Sequence, residues 1–362
     1  MVWSNPLQLA KSFHFYREHL NISGNSVTNI EQDAFVRLAG LKVLDLSHNE
    51  LEDPISLLPP SVEHLRLASN QFRYWPIARM PANLSILEVQ ANQLTELLSP
   101  PLGIDHSGAS IETVNIVVLN ASHNNIAVFP GRVQLPQLLV LDLSYNNLVE
   151  IPANLGRQAP LLDWLLLNGN PIKMIQFTQP MPFRRLEMRA LPLLQEVNAS
   201  EFRNDGECSE PFGRTKSLIH LVSVTTEQCI ELAISQCPLL TRVIGSFASL
   251  GNLCALDLSH NAITRFDEGL VTWTSLTKGI DLQGNPLHCD CPSQWMLDKL
   301  LPQIYAEKSQ QHLLVELRCA GPDPFSGHRF VRYLNQGKAF CKPSEALKTA
   351  EKNVSLNSSQ FN

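Results

Sequence analysis

Apolar positions recur along this chain with a long period, and within each period they fall in the order L-x-x-L-x-L-x-x-N. The clearest copies are Leu41 to Asn49 (LKVLDLSHN), Leu138 to Asn146 (LLVLDLSYN) and Leu253 to Asn261 (LCALDLSHN). Weaker copies close at Asn25, Asn70, Asn92, Asn124, Asn170 and Asn285, and two replace the Asn, closing at Leu191 and Cys237. These eleven copies end mostly 21 to 24 residues apart. Alternation over L-x-L puts both leucines on one buried face of a short strand and turns the residues between them to solvent. A single repeat cannot bury its own leucine row. Stacked repeats bury it continuously, so the pattern predicts a solenoid. The closing Asn falls where the chain leaves the strand, and its amide can bond neighbouring backbone, as no apolar side chain could.

Between strands, Ile30 and Phe35, then Ile244 and Phe247, supply apolar anchors to irregular or short helical connectors. Pro59, Pro60, Pro81, Pro130, Pro136, Pro152 and Pro160 lie in these connectors and argue against long helices. Tyr74 and Trp75 are expected to complete the packing of that side. Two stretches break the period. Residues 99–111 read as an inserted loop. A degenerate twelfth repeat is expected near Ser217 to Thr225, beside a further loop that starts at Phe202.

Eight cysteines sharpen the picture. Cys289 and Cys291 directly follow the last repeat, and Cys319 and Cys341 come later. The C-x-C spacing without a second close pair fits a structural zinc site poorly, so disulfides are the expectation. A solenoid end exposes its leucine row, and two cross-links let a short unit hold the shape of a cap. The order Gly284-NPLH-Cys289, with Trp295 and Leu297 following and Pro322-DPFSGH-Arg329 later, resembles the C-terminal cysteine-rich cap of extracellular leucine-rich-repeat proteins, a class that includes guidance and adhesion receptors, matrix proteoglycans and Toll-like receptor ectodomains. The resemblance covers roughly residues 15 to 341. It implies an α/β repeat solenoid: a horseshoe with a parallel sheet on its concave face and a mostly irregular convex side, closed by the cap. It also implies pairing of Cys289 with Cys319 and of Cys291 with Cys341. Cys229, Cys237 and Cys254 sit at or beside core positions and are expected to be structural, the first two as buried thiols. Cys208 falls in an exposed loop and is expected to pair locally or between chains.

The implied organisation is an atypical or incomplete N-terminal cap over 1–16, repeats over 17–285, the cysteine-rich cap over 286–341 and a polar tail over 342–362. Trp3, Asn5, Gln8, Lys11 and His14 interrupt any apolar leader, so a truncated N-terminus is expected.

Charge and composition exclude other classes. The net charge of -6 gives no basic nucleic-acid footprint. No run approaches the roughly twenty apolar residues of a membrane span. Metalloprotease, hydrolase and P-loop motifs are absent, so neither an enzyme nor a cofactor is expected. His48, His123 and His260 share one repeat position and read as repeat-consensus residues rather than a pH-sensing row. Asp45, Asp142, Asp257 and Asp281 give the sheet face an acidic bias, with Glu88 and Glu187 adding to it and Arg66 opposing. Six N-x-S/T sequons, at Asn21, Asn83, Asn120, Asn198, Asn353 and Asn357, point with the cap to a glycoprotein outside the cytosol.

Most outward strand positions are small or polar. The exceptions are Tyr145, then Trp164 and Leu166, then Arg185 and Arg189, which are residue types that anchor interfaces. The alternative is that Trp164 packs on neighbouring strands and stiffens the sheet. The expected role is therefore protein-ligand binding at the cell surface, as a receptor or adhesion module. A structural matrix component without a signalling role is the alternative.

Overall fold

The structure, a computed structural model, describes residues 2–3, 18–98, 112–131, 133–152, 154–175, 183–198, 229–247, 253–336 and 339–341. The inserted loop at 99–111, the expected twelfth repeat, Cys208 and the 342–362 tail lie outside them. The chain forms two compact units, one of residues 1–172 with 177–188, the other of residues 173–176 with 189–362.

In the first unit, eight three-residue strands stack in parallel: β1 (His19–Asn21), β2 (Val43–Asp45), β3 (His64–Arg66), β4 (Ile86–Glu88), β5 (Val118–Asn120), β6 (Val140–Asp142), β7 (Trp164–Leu166) and β8 (Arg185–Glu187). Each pairs in register with the next, so the central leucines Leu44, Leu65, Leu87, Leu119, Leu141, Leu165 and Leu186 form one row. All seven are fully buried. A second leucine row two residues on, through Leu46, Leu67 and Leu143, is also buried.

The closing asparagines are held as their spacing predicts. Asn146 donates from Nδ2 to the carbonyls of Ala121, Leu143 and Ser144, and its Oδ1 accepts the Ile126 N–H. Asn49, Asn70, Asn92, Asn124 and Asn170 repeat the pattern from turn to turn. Each thus satisfies backbone groups that the solenoid buries and no strand ladder reaches.

The residue before the Asn takes a left-handed conformation at every turn, with φ between 54° and 55° at His48, Ser69, Ala91, His123 and Tyr145, and 68° at Gly169. That geometry sends the chain out of the strand, and histidine tolerates it better than most side chains. The three histidines therefore share a left-handed turn position that Ser, Ala, Tyr and Gly fill in other repeats.

The connectors are irregular, with a four-residue helix at Leu155–Gln158. The side chain of Gln158 donates to the carbonyls of Pro130 and Val133. Trp75 is buried here, whereas Tyr74 is 56% exposed.

The second unit carries β9 (Ile230–Ala233), β10 (Leu253–Asp257) and β11 (Gly279–Asp281) in one parallel sheet. Behind them Met174–Ile175, Glu196–Asn198 and Arg242–Ile244 form a second parallel sheet. Cys237 replaces the closing Asn: its backbone N–H donates to Asn261 Oδ1, and its thiol lies 3.3 Å from the Ser235 carbonyl. Burial raises the thiol pKa to about 11. Cys229 is not a free thiol. It is bonded to Cys254 on the neighbouring strand, because adjacent strands bring the two Cα atoms to 5.5 Å.

The cap follows directly. β12 (Leu287–His288) pairs with β13 (Cys319–Gly321), and disulfides join Cys289 to Cys319 and Cys291 to Cys341. Short helices around Leu301–Ala306 and Phe330–Gln336 complete it. Trp295 is buried, donates to the Phe266 carbonyl and lies 4.7 Å from the Trp273 ring. Gln310 donates to the Thr277 carbonyl, and Leu313 leaves no room for a side chain at Gly279. The cap therefore covers the end of β11, where the leucine row would otherwise meet water.

Candidate binding face

The outward residues of the first unit form two columns. One runs Val43, His64, Ile86, Val118, Val140, Trp164, Arg185, and the other Asp45, Arg66, Glu88, Asn120, Asp142, Leu166, Glu187. From β2 to β7 each strand buries its centre and leaves both flanks half-buried. The columns follow from the two-residue side-chain period and the parallel register.

Trp164 and Leu166 stand outward on β7. The Arg185 guanidinium, from β8, lies 5.4 Å from the Trp164 ring centroid, a cation–π contact. The indole Nε1 is buried with no hydrogen-bond partner. Beside them Arg184 and Asp163 form a two-pronged ion pair, with Nε to Oδ1 at 2.5 Å and Nη2 to Oδ2 at 2.8 Å. That hydrogen bonding to Asp163 raises the Arg184 pKa.

Tyr145 is not in either strand column. It occupies the left-handed turn beyond β6, 49% exposed, with its ring stacked on His123 and passing over Gly169. Arg189 belongs to the second unit, where it lies 3.6 Å from Asp257. Of the expected five, Trp164, Leu166 and Arg185 stand side by side on β7 and β8.

The sequence placed Asp45, Glu88 and Arg66 on one face; their pairing on β2 to β4, and the part of His64 in it, emerge only in the structure. Arg66 lies 3.7 Å from Asp45 and 3.4 Å from Glu88, and His64 reaches the other Glu88 oxygen at 3.2 Å. The signal was present as charged residues at equivalent positions of consecutive repeats.

A small latch recurs after the strands. Asp45 accepts the N–H and hydroxyl of Ser47, and Asp257 does the same for Ser259. Asn21 with Ser23, and Asn120 with Ser122, reproduce it, so both sequons carry a folded Oδ1 and an uncommitted Nδ2. Asn83 is exposed on a connector and Asn198 ends a rear strand. Asn353 and Asn357 lie outside the described residues. Among the described residues, one three-residue group, Cys229, Glu231 and Cys254, has metal-ligand spacing. Its sulfurs are consumed by the disulfide, and Glu231 pairs with Lys278 at 2.5 Å.

Comparison with known proteins agrees with this geometry. The leucine rich repeat family matches residues 18–72 and, through a second description of the same repeat, residues 137–157. A phospholipase A2 inhibitor of Gloydius brevicaudus siniticus is 39% identical over 88 residues, 24% of this chain and 25% of that one. Keratocan of Mus musculus is 30% identical over 163 residues, 42% of this chain and 43% of that one. The chain thus spans less than half the length of these curated relatives. Among solved structures, a chain from an octameric complex of Latrophilin 3, Unc5D and the FLRT2 leucine-rich repeat shares the fold. Its TM-score is 0.53 at 17% identity, covering 88% of this chain and 89% of that one. The chain carries leucine-rich repeats at the matched residues and has the leucine-rich-repeat fold. Within that class it resembles keratocan and the phospholipase A2 inhibitors over the stretches given.

Proposed function

We propose that this chain is a protein-binding scaffold that works outside the cytosol or at the cell surface, as a receptor or adhesion module, and has no catalytic role. Residues 17–285 supply the binding array and 286–341 seal it. The observation that carries the reading is Trp164: a large aromatic on the outward side of β7, beside Leu166, under the Arg185 guanidinium and with an unpartnered indole N–H. Aromatic and Arg side chains grouped on a rigid sheet are the residues that dominate interface energies. Three disulfides among the described residues suit an oxidising compartment. Relatives whose names describe inhibitors of another protein, and a fold neighbour in a multiprotein complex, support the same role. Asn21, Asn83, Asn120 and Asn198 are the proposed glycan sites, with Asn353 and Asn357 in the tail.

The test is binding of the purified chain to a panel of displayed extracellular domains. Saturable binding that falls at least about tenfold in Trp164→Ala with Arg185→Ala is expected. Full binding by that variant would remove this face from the reading.

A further inference from the structure

The two outward columns of the first unit differ in chemistry as well as position. Val43, Ile86, Val118, Val140 and Trp164 make an apolar rail from β2 to β7, interrupted by His64. Beside it, two residues along each strand, Asp45, Glu88 and Asp142 make an acidic rail, interrupted by Arg66 and Asn120. Arg66 answers Asp45 and Glu88 together, so that pair keeps a net negative charge. Asp142 has no ion pair among the described residues; its Oδ1 accepts only the Ser144 N–H.

From this arrangement we infer that the partner is a basic amphipathic helix, lying across the strands with its apolar stripe on the first rail and lysines or arginines over the second. The inference rests on the binding-face reading above and names the partner's chemistry. Three physical points carry it. Successive strands stand about 4.8 Å apart, close to the roughly 5.4 Å pitch of a helix, so one helical turn meets one strand after another. An extended segment repeats its side chains on one face about every 6.6 Å and falls out of step. The six strands from β2 to β7 span about 24 Å, the length of roughly sixteen helical residues. A second copy of this chain is a poor occupant, because face-to-face pairing would set the acidic rail against carboxylates or apolar side chains with few cations to meet it. Cationic partners gain both attraction and steering from the uncompensated carboxylates.

Asn120 sits within the acidic rail, and a sugar on its Nδ2 would stand between Glu88 and Asp142. Asn120→Asp removes the sequon, keeps the Ser122 latch in the form seen at Asp45, and extends the charge.

The test titrates a fluorescent helical peptide of about eighteen residues, leucine along one stripe and lysine beside it, against the full chain at low and physiological salt, with a leucine/glutamate peptide of identical pattern as control. One-to-one, salt-sensitive binding of the lysine peptide is expected, at least about tenfold tighter than the glutamate peptide. Asp45→Asn with Asp142→Asn, which preserves both serine latches, should weaken it about tenfold, and Val118→Thr with Val140→Thr should also weaken it. Asn120→Asp should tighten it. Glu52→Gln with Asp53→Asn removes the same charge from an exposed connector and should change nothing.

Equal affinity for both peptides, or an Asp45/Asp142 variant that binds as wild type, overturns the inference. So does sedimentation showing that the face variants break a homodimer, since a second copy would then cover the rails. If the peptides fail while Trp164→Ala with Arg185→Ala still abolishes capture of a displayed domain, only the partner's chemistry is wrong. Loss of both results removes the face itself.

Discussion

The phenol of Tyr145 lies flat on the imidazole of His123, with ring centroids 4.4 Å apart and planes 14° from parallel. The two residues hold the same position in successive repeats, and both are left-handed. The next turn has glycine there because the Tyr145 ring fills the space: a Cβ on Gly169 would meet Tyr145 Cδ1 at 2.4 Å. A methyl group at Gly169 should therefore destabilise the chain by about 1–3 kcal/mol, through overlap and through its φ of 68°. Much of the overlap cost should vanish in a Tyr145→Ala background. Urea melts of both single variants and the double variant measure that coupling, and simple additivity would disprove it.

Asn146 makes three donor bonds and accepts a fourth from buried backbone. Asn146→Ala should cost about 3 kcal/mol or more, since several main-chain groups lose their partner without gaining water. Asn146→Cys should cost less, as Cys237 fills the equivalent place in the second unit with its thiol 3.3 Å from the Ser235 carbonyl. Thermal unfolding of the two variants ranks them.

The Cys237 thiol is 0% exposed, and its burial raises the pKa from 9.0 to about 11. The folded state therefore holds this proton more tightly than the unfolded chain does. The associated stability is fully present below about pH 9 and is lost as pH rises through about 11, by roughly 2–3 kcal/mol. Cys237→Ser should flatten the pH dependence of unfolding over that window. An unchanged alkaline slope would show that other groups set it.

Cys289 and Cys319 close a loop of 30 residues, a constraint worth roughly 3–4 kcal/mol by chain entropy. Cys289→Ala with Cys319→Ala should open the 286–341 region to limited proteolysis before residues 18–172 are cut. Mass mapping of the first fragments tests this, and initial cleavage among the early repeats would contradict it.

Asn120 offers a free Nδ2 within an Asx-type latch. Expressed in a secretory host, the chain should carry a glycan there, removable by an amidase and absent in Asn120→Asp, while melting temperature changes by less than about 2 °C. A large loss of stability would mean that Asp cannot take over the latch.

The architecture was legible because it is local and repeated. Leucine spacing settles which side of each strand is buried, and the closing Asn settles where each turn falls. A misreading at one repeat is corrected by the others. Tyr145 shows the limit: the sequence places it beside the strand, but not its left-handed turn or its stacking on His123. Cys229 and Cys254 lie 25 residues apart, about one repeat, so the period carries them to neighbouring turns; whether they meet depends on strand register, which shifts there.

Sequence by itself determined the period, the buried leucine rows, the asparagine ladder and the capped end, since each depends on spacing within one repeat or its immediate neighbour. Only tertiary structure decided the two rails, the Arg185 contact over Trp164, the cluster around Arg66 and the third disulfide. Those depend on the register between strands. That register brings together side chains about a full repeat apart, and no single repeat encodes which of them will meet.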